Sequence, residues 1–357
     1  MVEWLAGNRI IGTTAERPNF GLPSGSVGGW VELGRASNAS LPDVTSLADK
    51  RYLMFLNFQE SNNSRPTAAI RINGDSVSNY ATRGSANGLS DYINVDQTQI
   101  MFGGQPQGDT TTVPYLTVGY IANLAGKEKL LTCHNVLSYQ LGAGSSDPLE
   151  RRATVFKWDN TSDPIDQLSI LTTAGGSFNT NGELIVLGWD PDDTHTTNFW
   201  EELASVDLSG GAASSLDSGT FTAKKYLWVQ ILMEQTADSN YPLRFNSDSG
   251  SNYAYRYRTD NGTEFLHTSQ NGVNLRSTTA NLPVFVNMFI LNNSAQEKLI
   301  IEHDVKSNTA GAGNAPLRTE QAGKWVPTTN QQITSIQLHS GSGNLNTNTI
   351  MKIWGSD

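Results

Sequence analysis

The side chains of this 357-residue chain that could do chemistry are five histidines, one cysteine and a few acid-bearing turns. The histidines are His134, His195, His267, His303 and His339, and none has a second His or Cys at metal-ligand spacing. His134 and His303 each follow a Glu-Lys-Leu run (Glu128-Lys129-Leu130 and Glu297-Lys298-Leu299) by the same number of residues. An imidazole needed twice at one place is expected to be structural, its ring bonded to a backbone carbonyl across the fold. Cys133 is the single cysteine, so no disulfide can form within the chain. It falls in a predicted strand, where a free thiol reads as small apolar filler rather than as a nucleophile.

Asp248 with Asn246 and Asn252, and Asp75 with Asn73 and Asn79, put oxygen ligands into Gly-containing turns. Both lack the second close acid and the terminal Glu of a calcium loop, so turn chemistry accounts for them. The acidic stretch Asp190, Asp192, Asp193 is a similar weak candidate, and no metal is expected. There is no Gly-x-Ser-x-Gly, His-Glu-x-x-His, Walker loop or Cys-x-x-Cys. No acid pair stands out in an aromatic setting as glycoside hydrolysis would need. No catalytic residue, enzyme activity or cofactor is therefore assigned. In Tyr253-Ala254-Tyr255-Arg256-Tyr257-Arg258 the strict alternation places Tyr253, Tyr255 and Tyr257 on one strand face and the arginines on the other. Those three tyrosines are the candidate contact for a sugar ring.

The elements that must position these residues come twice. Lys50-Arg51-Tyr52-Leu53 returns as Lys224-Lys225-Tyr226-Leu227, Asn79-Tyr80-Ala81 as Asn252-Tyr253-Ala254, Gly142-Ala143-Gly144 as Gly311-Ala312-Gly313, and Lys157-Trp158 as Lys324-Trp325. The spacing between equivalents shrinks only from 174 residues at Tyr52/Tyr226 to 167 at Trp158/Trp325. That is one domain used twice, far longer than the ~20–50 residues of a solenoid repeat. Trp30 pairs with Trp200, Trp189 and Trp354 close the copies about one position out of register, and Trp228 aligns with Met54. The expected division is an arm over residues 1–29, a first copy over 30–190 and a second over 191–357.

Charged residues make up 16% of the chain and the formal net charge is −10. With no Lys/Arg cluster longer than two, phosphate-driven binding to nucleic acid is not expected, nor is docking on an anionic membrane. No apolar run approaches the ~20 residues that span a bilayer, and no secretion signal is read at the start, so the chain is expected to be made in the cytoplasm of its host.

Tyr52 to Phe58, Tyr226 to Met233 and Val284 to Leu291 are nearly continuous apolar runs bounded by Gly, Asn and Ser, which read as buried strands. Asn246 to Asn252 reads as a hairpin turn between a strand over Leu243–Asn246 and the tyrosine strand. Helical periodicity is nearly absent, with one short turn expected in Phe199–Asp207. About eight short strands per copy predict an all-β chain: two tandem antiparallel β-sandwiches of jelly-roll type behind an extended N-terminal arm. In the arm, Trp4, Ile10 and Ile11 are the residues expected to anchor on a neighbouring subunit.

The runs Leu243-Arg244-Phe245-Asn246, Ser249 to Tyr257 and Ala310 to Pro316 resemble virion structural proteins of tailed phages, as does the opening Trp4 to Pro18 followed by Gly28-Gly29-Trp30. The resemblance covers most of both copies and carries no catalytic residue. It implies jelly-roll-like modules used for capsid decoration or in a fibre. The partners it implies are a major capsid protein or tail proteins, and the expected assembly is a homotrimer on the virion. A carbohydrate-binding module that touches host surface glycans is the alternative.

Overall fold

The computed structural model describes residues 29–62, 66–102, 112–146, 148–173, 176–190, 193, 197–237, 239–260, 262–276, 282–306 and 312–357. The arm candidates Trp4, Ile10 and Ile11 lie outside the described residues, as does His195.

The first copy folds into β1 (Val31–Ser37), β2 (Asp43–Val44), β3 (Tyr52–Glu60), β4 (Ala68–Ile72), β5 (Tyr80–Ala86), β6 (Tyr92–Gln97), β7 (Ile100–Met101), β8 (Pro114–Ala122), β9 (Lys129–Ser138), β10 (Leu149–Trp158), β11 (Leu168–Thr172) and β12 (Glu183–Trp189). The second folds into β13 (Glu201–Asp207), β14 (Ser215–Asp217), β15 (Tyr226–Met233), β16 (Asn240–Phe245), β17 (Tyr253–Thr259), β18 (Phe265–Gln270), β19 (Val273–Arg276), β20 (Val284–Leu291), β21 (Lys298–Lys306), β22 (Leu317–Trp325), β23 (Ile336–His339) and β24 (Ile350–Ser356). Each copy is an antiparallel sandwich of an eight-stranded and a four-stranded sheet, in the order β1-β12-β3-β8-β9-β10-β5-β6 over β2-β11-β4-β7 and β13-β24-β15-β20-β21-β22-β17-β18 over β14-β23-β16-β19. The two orders are identical, so the repeat read from the sequence is a repeat of topology.

The structure corrects three expectations. Among the described residues each copy has twelve strands rather than about eight, because short edge strands such as β7 and β14 carry too few residues to show a period. Phe199–Asp207 holds no helical turn: Glu201–Asp207 is a strand that pairs with β24. Asn246 to Asn252 does not close a hairpin, since β16 belongs to the small sheet and β17 to the large one. The turn is a corner between layers. Tyr253 fixes it by accepting from the Phe245 N–H at 2.9 Å and donating to the Asp248 carbonyl at 3.0 Å, and Tyr80 does the same against Ile72 and Asp75 in the first copy.

Inside each sandwich lies an apolar core. Phe55, Ile121, Leu131, Cys133 and Trp158 are in one, Val229, Phe245, Tyr253, Ile300 and Trp325 in the other. A third core lies between the copies, where Met54, Leu56, Phe58, Leu116 and Val136 of the first meet Tyr226, Phe289, Leu291, Leu299 and Ile301 of the second. The large sheets therefore pack face to face and the small sheets lie outermost. This explains the unbroken apolar runs: β3 is buried on both faces and cannot alternate.

Candidate functional site

The large sheet of each copy turns one face to its own small sheet and the other to the second copy. That second face is divided. Along β3, residues alternate across the sheet, so Tyr52, Met54, Leu56 and Phe58 share it, joined across the ladders by Leu116, Tyr120, Leu130, Val136 and Val155. In the first copy one end is covered and the other open: Phe58, Leu116 and Val136 are at most 1% exposed, whereas Tyr52, Leu130 and Val155 are 38%, 57% and 50% exposed. In the second copy the assignment is reversed. Tyr226, Leu299 and Ala322, the equivalents of Tyr52, Leu130 and Val155, are at most 2% exposed, while Leu232, Phe285 and Val305, the equivalents of Phe58, Leu116 and Val136, are 41%, 42% and 44% exposed. The copies thus bury opposite ends of one face.

Polar groups lock the buried ends together. The Arg151 guanidinium, almost fully buried, reaches Glu264 at 2.9 Å and Glu320 at 2.6 Å on the second copy. Such a forked, desolvated pair fixes geometry, and removing one partner strands the other charge. Lys324 and Glu297, paired at 2.9 Å, close on Ser138, which donates to Glu297 at 3.1 Å and accepts from Lys324 at 3.2 Å. Burial pushes the Lys324 ammonium down, with Glu297 opposing. The same pair in the first copy, Lys157 and Glu128 at 3.0 Å, lies in water, and there the bond to Glu128 raises the lysine instead. Glu183 of the first copy accepts from Lys225 and Tyr226 of the second, each at 2.7 Å, and from Ser37 at 2.6 Å. Burial opposes its ionisation, but these donors outweigh it and hold its pKa down at about 2.

His134 and His303 meet at the centre of this interface, ring centroids 4.0 Å apart. They are not bonded across a sandwich, as the sequence reading expects; each is the other's neighbour. Burial lowers both, His134 to about 3 with the neighbouring His303 adding to it, and His303 to about 4 with the Arg151 charge adding to it. Two equivalent residues thus touch within an interface whose two sides are otherwise different ends of the same face.

The open end of the first copy forms a groove of about 810 Å³. Its walls include Trp30, Tyr52, Tyr120, Leu130, Val155 and Trp189, with Arg83 and Lys157 as its charged members. Tyr52 stacks on Trp189 at 5.4 Å, and Trp30 tilts against Tyr120 at 6.2 Å. An open, mostly apolar surface of this size marks a contact site rather than a solvated sheet face. Sequence reading singled out none of these residues as a site.

The residues it did single out are placed elsewhere. Tyr253, Tyr255 and Tyr257 are buried, so the expectation that they touch a glycan is corrected: Tyr253 packs in the core against Trp325, and Tyr257 stacks on Phe265 at 5.3 Å and on His267 at 5.7 Å. No ring face is left for a sugar. The acidic turns are brackets for core tryptophans. Asp75 accepts from the Trp158 indole and Asp248 from the Trp325 indole, both at 2.7 Å, and each also accepts from the Asn four residues on. Asp190 and Asp193 hold the linker to Arg51 and Lys50. Cys133 lies in the first core, where burial raises its thiol. Among the described residues no three His, Cys, Asp or Glu side chains stand together as a metal site.

No protein-family model matches the chain, and no curated protein matches it in sequence. Among solved structures, the LG4-5 domains of the mouse laminin alpha1 chain are 9% identical over 92% of this chain and 91% of that one, with a TM-score of 0.16. The transport unit of the Escherichia coli autotransporter AIDA-I is 7% identical over 78% of this chain and 90% of that one, with a TM-score of 0.14. At such scores neither likeness bears on the fold or the function.

Proposed function

We propose that this chain is a non-enzymatic structural protein on the surface of a tailed-phage particle, decorating the capsid or forming part of a fibre. The observation that carries the reading is the divided face. Two sandwiches already fused through a buried core still leave an apolar groove open at one end, a feature of parts that are completed by assembly. The resemblance of the Ser249 to Tyr257 and Ala310 to Pro316 runs to virion proteins supports the same reading, as does a chain low in charge and without disulfides. In this reading the arm (Trp4, Ile10, Ile11) anchors the protein, copies associate as a homotrimer, and the partners are capsid or tail proteins.

Immunogold labelling of particles from a natural lysate, with antibody to this chain, tests it. Gold over heads is expected for capsid decoration and gold on tails for a fibre; particles without gold would sink the proposal. A second reading, recognition of a host glycan, draws on the groove itself, since the half-exposed Tyr52 ring stacked on Trp189 offers an aromatic platform. A glycan array probed with the purified chain separates the two.

A further inference from the structure

The divided face has a property that its two halves do not show separately. Within the chain, the Phe58 end of copy one is joined to the Tyr226 end of copy two. Left over are the Tyr52 end of copy one and the Leu232 end of copy two, which are the repeat equivalents of the ends already joined. We propose that copies of this chain join head to tail: the open half-face of the first sandwich (Tyr52, Leu130, Val155) receives the open half-face (Leu232, Phe285, Val305) of a second copy's second sandwich.

The charges around the two ends fit this. Inside the chain Arg151 pairs with Glu264; their equivalents in the other copy are Arg318 and Asp91, again opposite in sign. Inside the chain Gln296 donates to Glu60; the equivalents are Lys127 and Glu234, a pair of opposite charges. At present Arg318 pairs with Glu320 at 3.0 Å, Asp91 with Arg83 at 3.5 Å, and Glu234 accepts from Asn348. Exposed pairs of this kind contribute little to stability, so exchanging them for intermolecular ones costs little. A junction that uses different surfaces on its two sides closes into a ring or runs on as a filament. A ring of three copies is the homotrimer of the proposed particle protein, but the junction itself needs no particle.

The test uses the purified full-length chain and reads mass by light scattering. Wild type is expected at a multiple of 38.7 kDa. Leu130→Asp and Val305→Asp each place a charge on a half-exposed position, so both variants should fold, and each alone should fall to a single chain. Mixed one to one, they should form a pair, because one intact Val305 end then meets one intact Leu130 end. A monomeric wild type overturns the proposal, as does a wild-type mass retained by either variant, or a mixture that stays monomeric. Gold on particles with a monomeric purified chain would leave the particle reading standing and this inference refuted. A multimeric chain on unlabelled particles would do the opposite.

Discussion

His134 and His303 make the junction between the copies sensitive to acid. Both rings are neutral when folded, with pKa values near 3 and 4, and would take a proton near pH 6.5 once unfolded. A pKa depressed by folding contributes stability that is complete above about 6.5 and drains as pH falls toward the folded values, at up to about 1.4 kcal/mol per pH unit for each ring. Unfolding midpoints measured from pH 7 to 4.5 should therefore fall, and His134→Leu should flatten part of that fall. An equally steep wild type and variant would place the acid sensitivity elsewhere. In the sequence the equivalence of the two histidines was legible from their shared distance to Glu-Lys-Leu. Their contact was not, because a spacing of 169 residues fixes a repeat and says nothing of how its copies face each other.

At the scale of elements, the corner between small and large sheet is the unit used twice. Its Asp caps a tryptophan 83 or 77 residues away, Trp158 or Trp325, and its Tyr ties the incoming strand. An indole is a donor only, and leaving it buried without an acceptor costs about 1–3 kcal/mol. Asp248→Ala should lower stability by that amount, Asp75→Ala likewise, and the double variant by close to the sum, since the sites share no partner. Denaturant midpoints check this, and a neutral Asp248→Ala would show that water serves the Trp325 indole. Sequence reading found the Asp-Asn turns and put them down to turn chemistry rather than to calcium, but their tryptophan partners stayed hidden because they are distant along the chain. The strand runs were read well for a physical reason. A continuous apolar run such as Tyr52 to Phe58 reports burial on both faces. What covers the second face has no local signature, so the groove and the third core stayed hidden.

At the scale of the molecule, Arg151 is the single side chain that spans the junction most firmly. Arg151→Ala removes two ion pairs and leaves Glu264 and Glu320 beside each other's charge, a loss of about 3–5 kcal/mol for a buried network. Two unfolding transitions should replace one as the copies uncouple, which calorimetry resolves; a single unshifted transition would mean that the apolar contact alone holds the copies. The internal duplication was fully legible. That its copies use opposite ends of one face was not, since Leu130 and Leu299 are the same residue type with 57% and 0% exposure.

The linker that joins the sandwiches runs from Asp190, held by the Arg51 N–H at 3.2 Å, to Phe199, whose N–H reaches the Trp30 carbonyl at 2.8 Å. Both ends are held by bonds that do not run through the residues between them, and the third core is built from residues on either side. A protease site placed at residues 194–196 and cut after folding should leave two pieces that travel together in native buffer and part only in denaturant. The covalent connection then acts as a local concentration, sparing the halves a search for each other. Inherited as two separate genes, the same halves would still recognise one another as partners.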